Sequence, residues 1–79
     1  MVQHMARTPL TLPFSGALLR KQRELKGWRQ QDLSDRSGVA REDISRYETG
    51  SSLPSATTFG ALVKALACAP TDLLDEAAA

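Results

Sequence analysis

The sequence has a single cysteine, Cys68, and a single histidine, His4. One cysteine closes no internal disulfide, and the two residues together fall short of a Cys/His zinc site. A reducing, cytoplasmic setting is the expectation that follows. No apolar run approaches the roughly 20 residues that a membrane span needs, and the N-terminus lacks the apolar core of a signal peptide. Membrane partners are not expected. There is no glycine-rich phosphate loop, and no histidine lies in the folded stretch to activate a serine. Neither catalysis nor a cofactor is expected on that basis. Charge of one sign is also lacking. Ten Lys and Arg against nine Asp and Glu leave a net charge of +1, which by itself does not favour a polyanionic partner.

What is present fits one small domain. The chain has 79 residues, of which 42% are hydrophobic, enough for one core with a thin stability margin. The charge is unevenly placed. Arg7, Arg20, Lys21, Arg23, Lys26 and Arg29 face only Glu24 in the front part, whereas Asp72, Asp75 and Glu76 crowd the end. That asymmetry suits a molecule with one anion-facing side, although charges spread for solubility would look similar. Residues 1–13, "MVQHMARTPLTLP", carry two prolines and no helical period, and read as a flexible or extended arm. Met5 is a second candidate start, so the first four residues carry no functional weight. The folded domain is assigned to residues 14–79.

Five short helices are predicted, with no strand. The first runs from Ser15, a good N-cap, to Lys26, with Gly27 as its stop and Leu18, Leu19 and Leu25 as its apolar side. Trp28 precedes Leu33 by five residues, the spacing of a hydrophobic staple. Arg29 then falls at an N-cap where it accepts no amide hydrogen bond, and Asp32 compensates through the helix dipole. Gly38 ends this second helix. The third spans Arg41 to Thr49, with Ile44 and Tyr47 inward and Arg41, Glu42, Ser45 and Arg46 outward. Ser55 caps a fourth helix whose Phe59, Leu62, Val63 and Leu66 repeat at helical period. A fifth begins at Pro70 and buries Leu73. The architecture expected is an all-α, compact five-helix bundle.

Leu33, Ser34, Gly38, Val39, Ile44 and Tyr47 form one pattern. Two helices that cross steeply over a short turn need a small residue at the contact, here Ser34, and a residue tolerant of positive φ in the turn, here Gly38. Leu33, Val39, Ile44 and Tyr47 then hold the pair to the core. This is the arithmetic of a helix-turn-helix. With it, "LRKQRELKGWRQQDLSDRSGV", "ISRYETG", "LPSATTFGALVKAL" and "APTDLL" resemble, in order and spacing, the XRE or Cro/repressor-like helix-turn-helix family of bacterial and phage transcriptional regulators. The resemblance covers about residues 14–74.

The resemblance implies a lambda-repressor-like DNA-binding domain whose partner is double-stranded DNA. It implies a second helix that starts against the phosphate backbone and a third that reads the major groove. Gln30, Ala40, Lys21 and Lys26 then become phosphate-contact candidates, and Arg41, Glu42, Ser45 and Arg46 base-reading candidates. Arg23 and Glu48 match a family pair that ties helix 1 to helix 3. Departures from the family pattern are Ala40 and Arg29 at positions usual for capping hydroxyls, Gln22 at a position often leucine, and the acids Glu42 and Asp43 near phosphates. They point to reliance on a homodimer bound to an inverted repeat.

Plainer readings stand beside these. Arg41 and Arg46 would also suit a solvated helix face, and Glu42 a dipole-stabilising first turn. Trp28 and Tyr47 read as staple and core, and Cys68 as a small buried hydrophobe. Arg7 would serve as a groove-reaching arm or as plain tail. The functional expectation is a sequence-specific transcriptional regulator, with an antitoxin or protein-interaction module on the same fold as the alternative. Regulation is expected from concentration, a regulatory protein partner or operator arrangement.

Overall fold

The computed structural model describes residues 13–75, so the arm before Pro13, with His4 and Arg7, lies outside the described residues. Four α-helices follow one another: α1 (Gly16–Leu25), α2 (Gln30–Ser37), α3 (Arg41–Thr49) and α4 (Ala56–Leu66). A single 3-10 turn, Pro70–Leu73, comes next. Among the described residues there is no strand, only one antiparallel bridge between Phe14 and Leu74. Among the described residues no helix is long and apolar enough to cross a membrane.

The helix starts follow local chemistry. Ser15 Oγ accepts the Leu18 amide at 3.1 Å, and Ser55 Oγ accepts the Thr58 amide at 3.1 Å, each satisfying a donor that the helix cannot. At α2 the N-cap is Arg29, whose side chain accepts no amide hydrogen bond. Instead Asp32 Oδ2 accepts the Arg29 amide at 2.8 Å, half of a capping box. Gly38 closes α2 at φ 78°, the left-handed conformation that the turn into α3 demands. At the end of α4 that conformation falls on Ala67, at φ 52°.

The expected fifth helix is corrected to the 3-10 turn. Pro70 opens it as foreseen, but Leu74 is extended at φ −113°, ψ 135°. The backbone groups that would continue a helix are engaged elsewhere. Leu73 O accepts the Ser15 amide at 2.9 Å, and the Asp75 amide donates to Pro13 O at 2.8 Å. The two ends of the domain are thereby clasped.

Leu19, Leu33, Ile44, Leu62, Leu66 and Leu73 are wholly buried, with Tyr47 and Phe59 beside them. Phe14 packs edge-on to both aromatic rings, at 6.4 Å from Tyr47 and 6.3 Å from Phe59, a geometry that suits the ring quadrupoles. Trp28 and Val39 pack on the same core. Leu25 does not. It is 70% exposed, because the core-facing row of α1 is Leu19 and Arg23, four residues apart, and Leu25 lies across the helix from it. Gly16 is held by contact rather than conformation. A Cβ there would run into the carbonyl oxygens of Tyr47 and Glu48, so α1 begins in backbone contact with the end of α3.

Candidate nucleic-acid interface

Ile44 and Tyr47 anchor α3 by its inner side. Arg41, Glu42 and Arg46 are then exposed and Ser45 half-buried on the other. At 3.6 residues per turn Arg41, Ser45 and Thr49 form one row, with Glu42 and Arg46 alongside. Thr49 was not among the residues expected from the sequence, though its i+4 spacing from Ser45 carries the signal. Its hydroxyl lies 3.1 Å from Ser45 O and 3.2 Å from Arg46 O.

The outward arginines differ. Arg41 Nη2 stands 4.0 Å from Glu42 Oε2, a loose ion pair. Arg46 Nη1 donates to Asp43 Oδ1 at 3.0 Å. Ala40 precedes α3 and offers no side-chain cap, as Arg29 offers none to α2. Both helices therefore begin with amides that no capping side chain claims, and amides at a helix start attract anions.

Beneath this face lies a polar hub. Arg23, 8% exposed, is a charged residue buried in the interior. Its Nε donates to Glu48 Oε2 at 2.7 Å, its Nη2 to Glu48 Oε1 at 2.9 Å, and its Nη1 to the Trp28 carbonyl at 2.7 Å. The hydrogen bond to Glu48 holds the guanidinium pKa above its ordinary value, against the effect of burial. Gln30 Nε2 donates to the same Glu48 Oε1 at 3.1 Å. One carboxylate thus joins α1, the start of α2 and the end of α3. The phosphate candidate Gln30 is a member of this hub, with one amide hydrogen committed and one left over.

Lys21 and Lys26 are exposed. Lys21 lines a shallow surface hollow with Ala17, Arg20, Glu24 and Leu25, beside the Arg20–Glu24 pair at 2.9 Å. Lys26 Nζ lies 5.9 Å from the Trp28 ring centre, and the Arg36 guanidinium 4.4 Å from it, so the staple tryptophan carries two cations near its ring. Cys68 is half-buried against the core, and burial pushes its thiol above the ordinary range. That makes it a weak nucleophile at neutral pH. No group of three or more His, Cys, Asp or Glu among the described residues is placed to hold a metal ion.

The sequence profile described as helix-turn-helix matches residues 19–73. A search of curated protein sequences returns no match. Among solved structures, the chain is similar to the restriction-modification controller protein C.AhdI from Aeromonas hydrophila, at 32% identity and TM-score 0.72, over 75% of this chain and 89% of that one. It is similar to the P22 c2 repressor in complex with a synthetic operator, at 34% identity and TM-score 0.71, over 77% and 92% of the two chains. It is also similar to the clp gene regulator ClgR from C. glutamicum, at 33% identity and TM-score 0.71, over 80% and 82%. Profile, identity and the exposed third helix agree: the chain belongs to the XRE-type helix-turn-helix family of DNA-binding transcription regulators.

Proposed function

We propose that the protein regulates transcription by laying α3 in the major groove of a specific double-stranded operator. The observation that carries this reading is the division of α3. Ile44 and Tyr47 fasten one side to the core, and the other presents Arg41, Glu42, Ser45 and Arg46 outward. An arginine offers paired donors to guanine O6 and N7, and Glu42 accepts from a cytosine amino group. Gln30 meets a phosphate with its uncommitted amide hydrogen and the α2 amides. Ala40 contributes the start of α3 to a second phosphate, and Lys21 and Lys26 add backbone charge. The likeness to a repressor solved with its operator supports the same placement.

One such helix reads only a few base pairs, so the reading includes a homodimer on an inverted repeat, with half-sites about 34 Å apart. The surface assigned to the dimer is the 3-10 turn Pro70–Leu73 with Leu74 and the Ser51–Pro54 loop, through the exposed Pro70, Thr71, Asp72 and Leu53, with Leu73 and Pro54 buried behind them. Selection of bound sites from a random DNA pool tests the whole reading. The expected product is a two-fold symmetric sequence bound by two chains, whose complex withstands competitor DNA of random sequence. A pool that yields no preferred sequence would favour an antitoxin or protein-interaction role on this fold.

A further inference from the structure

We propose that Asp43 is a specificity-determining residue that acts through Arg46 by holding its guanidinium in one orientation. This rests on α3 being the groove reader. Asp43 and Arg46 are three apart on α3 and therefore neighbours on its surface. Arg46 Nη1 donates to Asp43 Oδ1 at 3.0 Å. With Nη1 taken, the Nε and Nη2 edge stays open, and that edge carries two parallel N–H donors. Two parallel donors are what guanine O6 and N7 accept. Arg41, in contrast, is 4.0 Å from Glu42, beyond hydrogen-bond reach, and is free to turn.

Stability is not what this pair supplies. The two side chains are 58% and 46% exposed, and exposed pairs add little to folding. Its effect is on choice of partner. A free arginine beside DNA has two outlets, a base edge or a phosphate, and only the first reads sequence. A carboxylate hydrogen-bonded to the guanidinium makes the phosphate outlet less favourable, because Arg46 must either break that bond or hold the phosphate near a second anion. Repulsion of the wrong contact sharpens discrimination as effectively as attraction to the right one. Near neutrality of the whole chain, +1, fits a protein that gives up non-specific attraction for selectivity.

The test uses the full chain as parent, Arg46→Ala, Asp43→Ala and the double variant. Binding is measured to the selected operator, to each single-base variant of it, and to scrambled duplex at two salt concentrations. Asp43→Ala is expected to lower the operator-to-scrambled affinity ratio roughly tenfold, the low end for one bidentate base contact. The loss should concentrate at the base pair where Arg46→Ala loses preference. Binding to scrambled DNA should tighten and its salt dependence steepen. The double variant should be no less selective than Arg46→Ala alone, because Asp43 has no role without its arginine. Asp43→Ser, too short to reach the guanidinium yet suited to a first helical turn, should behave as Asp43→Ala and serves in its place if that protein melts early. If Arg46→Ala loses preference at a base pair and both Asp43 variants keep it, the orienting role is overturned while the groove reading stands. If Arg46→Ala discriminates like the parent, the groove reading falls and this inference with it.

Discussion

Arg23 and Glu48 meet through two hydrogen bonds, Nε to Oε2 at 2.7 Å and Nη2 to Oε1 at 2.9 Å, with side chains 10% and 4% exposed. They are 25 residues apart in sequence, and their pairing sets α3 against α1. Removing one partner strands the other as a buried charge, a loss of about 3–5 kcal/mol, whereas replacing both by apolar residues of similar volume is often neutral. Glu48→Ala is expected to cost about that much in denaturant unfolding, and Arg23→Met with Glu48→Leu to recover most of it. A Glu48→Ala protein that unfolds at the parent midpoint would show the hub to be dispensable.

Gly16 tests the contact between α1 and α3 from the other side. Inside a helix, glycine to alanine ordinarily gains roughly 0.5–1 kcal/mol. Here the new Cβ would collide with the Tyr47 and Glu48 carbonyls, so Gly16→Ala should destabilise by about 1–3 kcal/mol, the usual range for overpacking. The sign of the shift in melting temperature decides the matter.

Ala67 reverses that logic. It occupies the left-handed region at φ 52°, where an L side chain costs roughly 1–2 kcal/mol. Its neighbours Ala67 N to Lys64 O at 3.1 Å and Cys68 N to Val63 O at 3.3 Å close the helix by the Schellman arrangement that favours glycine. Ala67→Gly should therefore raise stability, by about 0.5–1 kcal/mol after the added freedom of the unfolded chain is deducted. Chemical denaturation at constant m-value reads this directly.

Acid should weaken the start of α2 and the surface of α1. The Arg29 amide, and then its side chain, hold the Asp32 carboxyl below its usual range. A hydrogen bond from Arg20, aided by its charge, does the same for Glu24. A carboxyl with a depressed folded pKa stabilises fully above its unfolded value, about 3.9 for Asp and 4.3 for Glu, and loses that contribution as pH falls through the lower folded value. Melting temperature should thus fall below about pH 4, and Asp32→Asn should show a shallower fall than the parent. Equal acid limbs for the two proteins would exclude Asp32 as a contributor.

The two kinds of DNA contact should separate by mutation. Arg41→Ala is expected to cost about 1–3 kcal/mol on the selected site and to relax preference at its own base pair. Gln30→Ala should weaken selected and scrambled DNA nearly alike. Lys21→Ala or Lys26→Ala should lower the salt slope by about one phosphate. Fluorescence anisotropy at two salt concentrations distinguishes these patterns, and identical specificity in the Arg41→Ala protein would remove Arg41 as a reader.

The sequence by itself determined the four α-helices and the pattern that joins them. Serine caps, glycine stops and three-four apolar spacing are local rules, so Ser15, Ser55, Gly38 and the row Phe59, Leu62 and Leu66 were legible from neighbours alone. The outward face of α3 was legible too, because the inward positions of Ile44 and Tyr47 leave only the other side. What lies between distant segments was decided by the tertiary structure. Leu25 reads as core from its hydrophobicity and is exposed, since the crossing of α1 on α3 turned Arg23 inward instead. Pro70 reads as a helix start, but the amides and carbonyls that would extend the helix serve Pro13 and Ser15. Gly16 looks like an ordinary residue of α1 until the carbonyls of α3 stand where its Cβ would be. The sharing of one Glu48 oxygen by Arg23 and Gln30 is likewise a meeting of three segments. Local propensity has no term for such meetings, because their energies depend on which backbone atoms packing brings together.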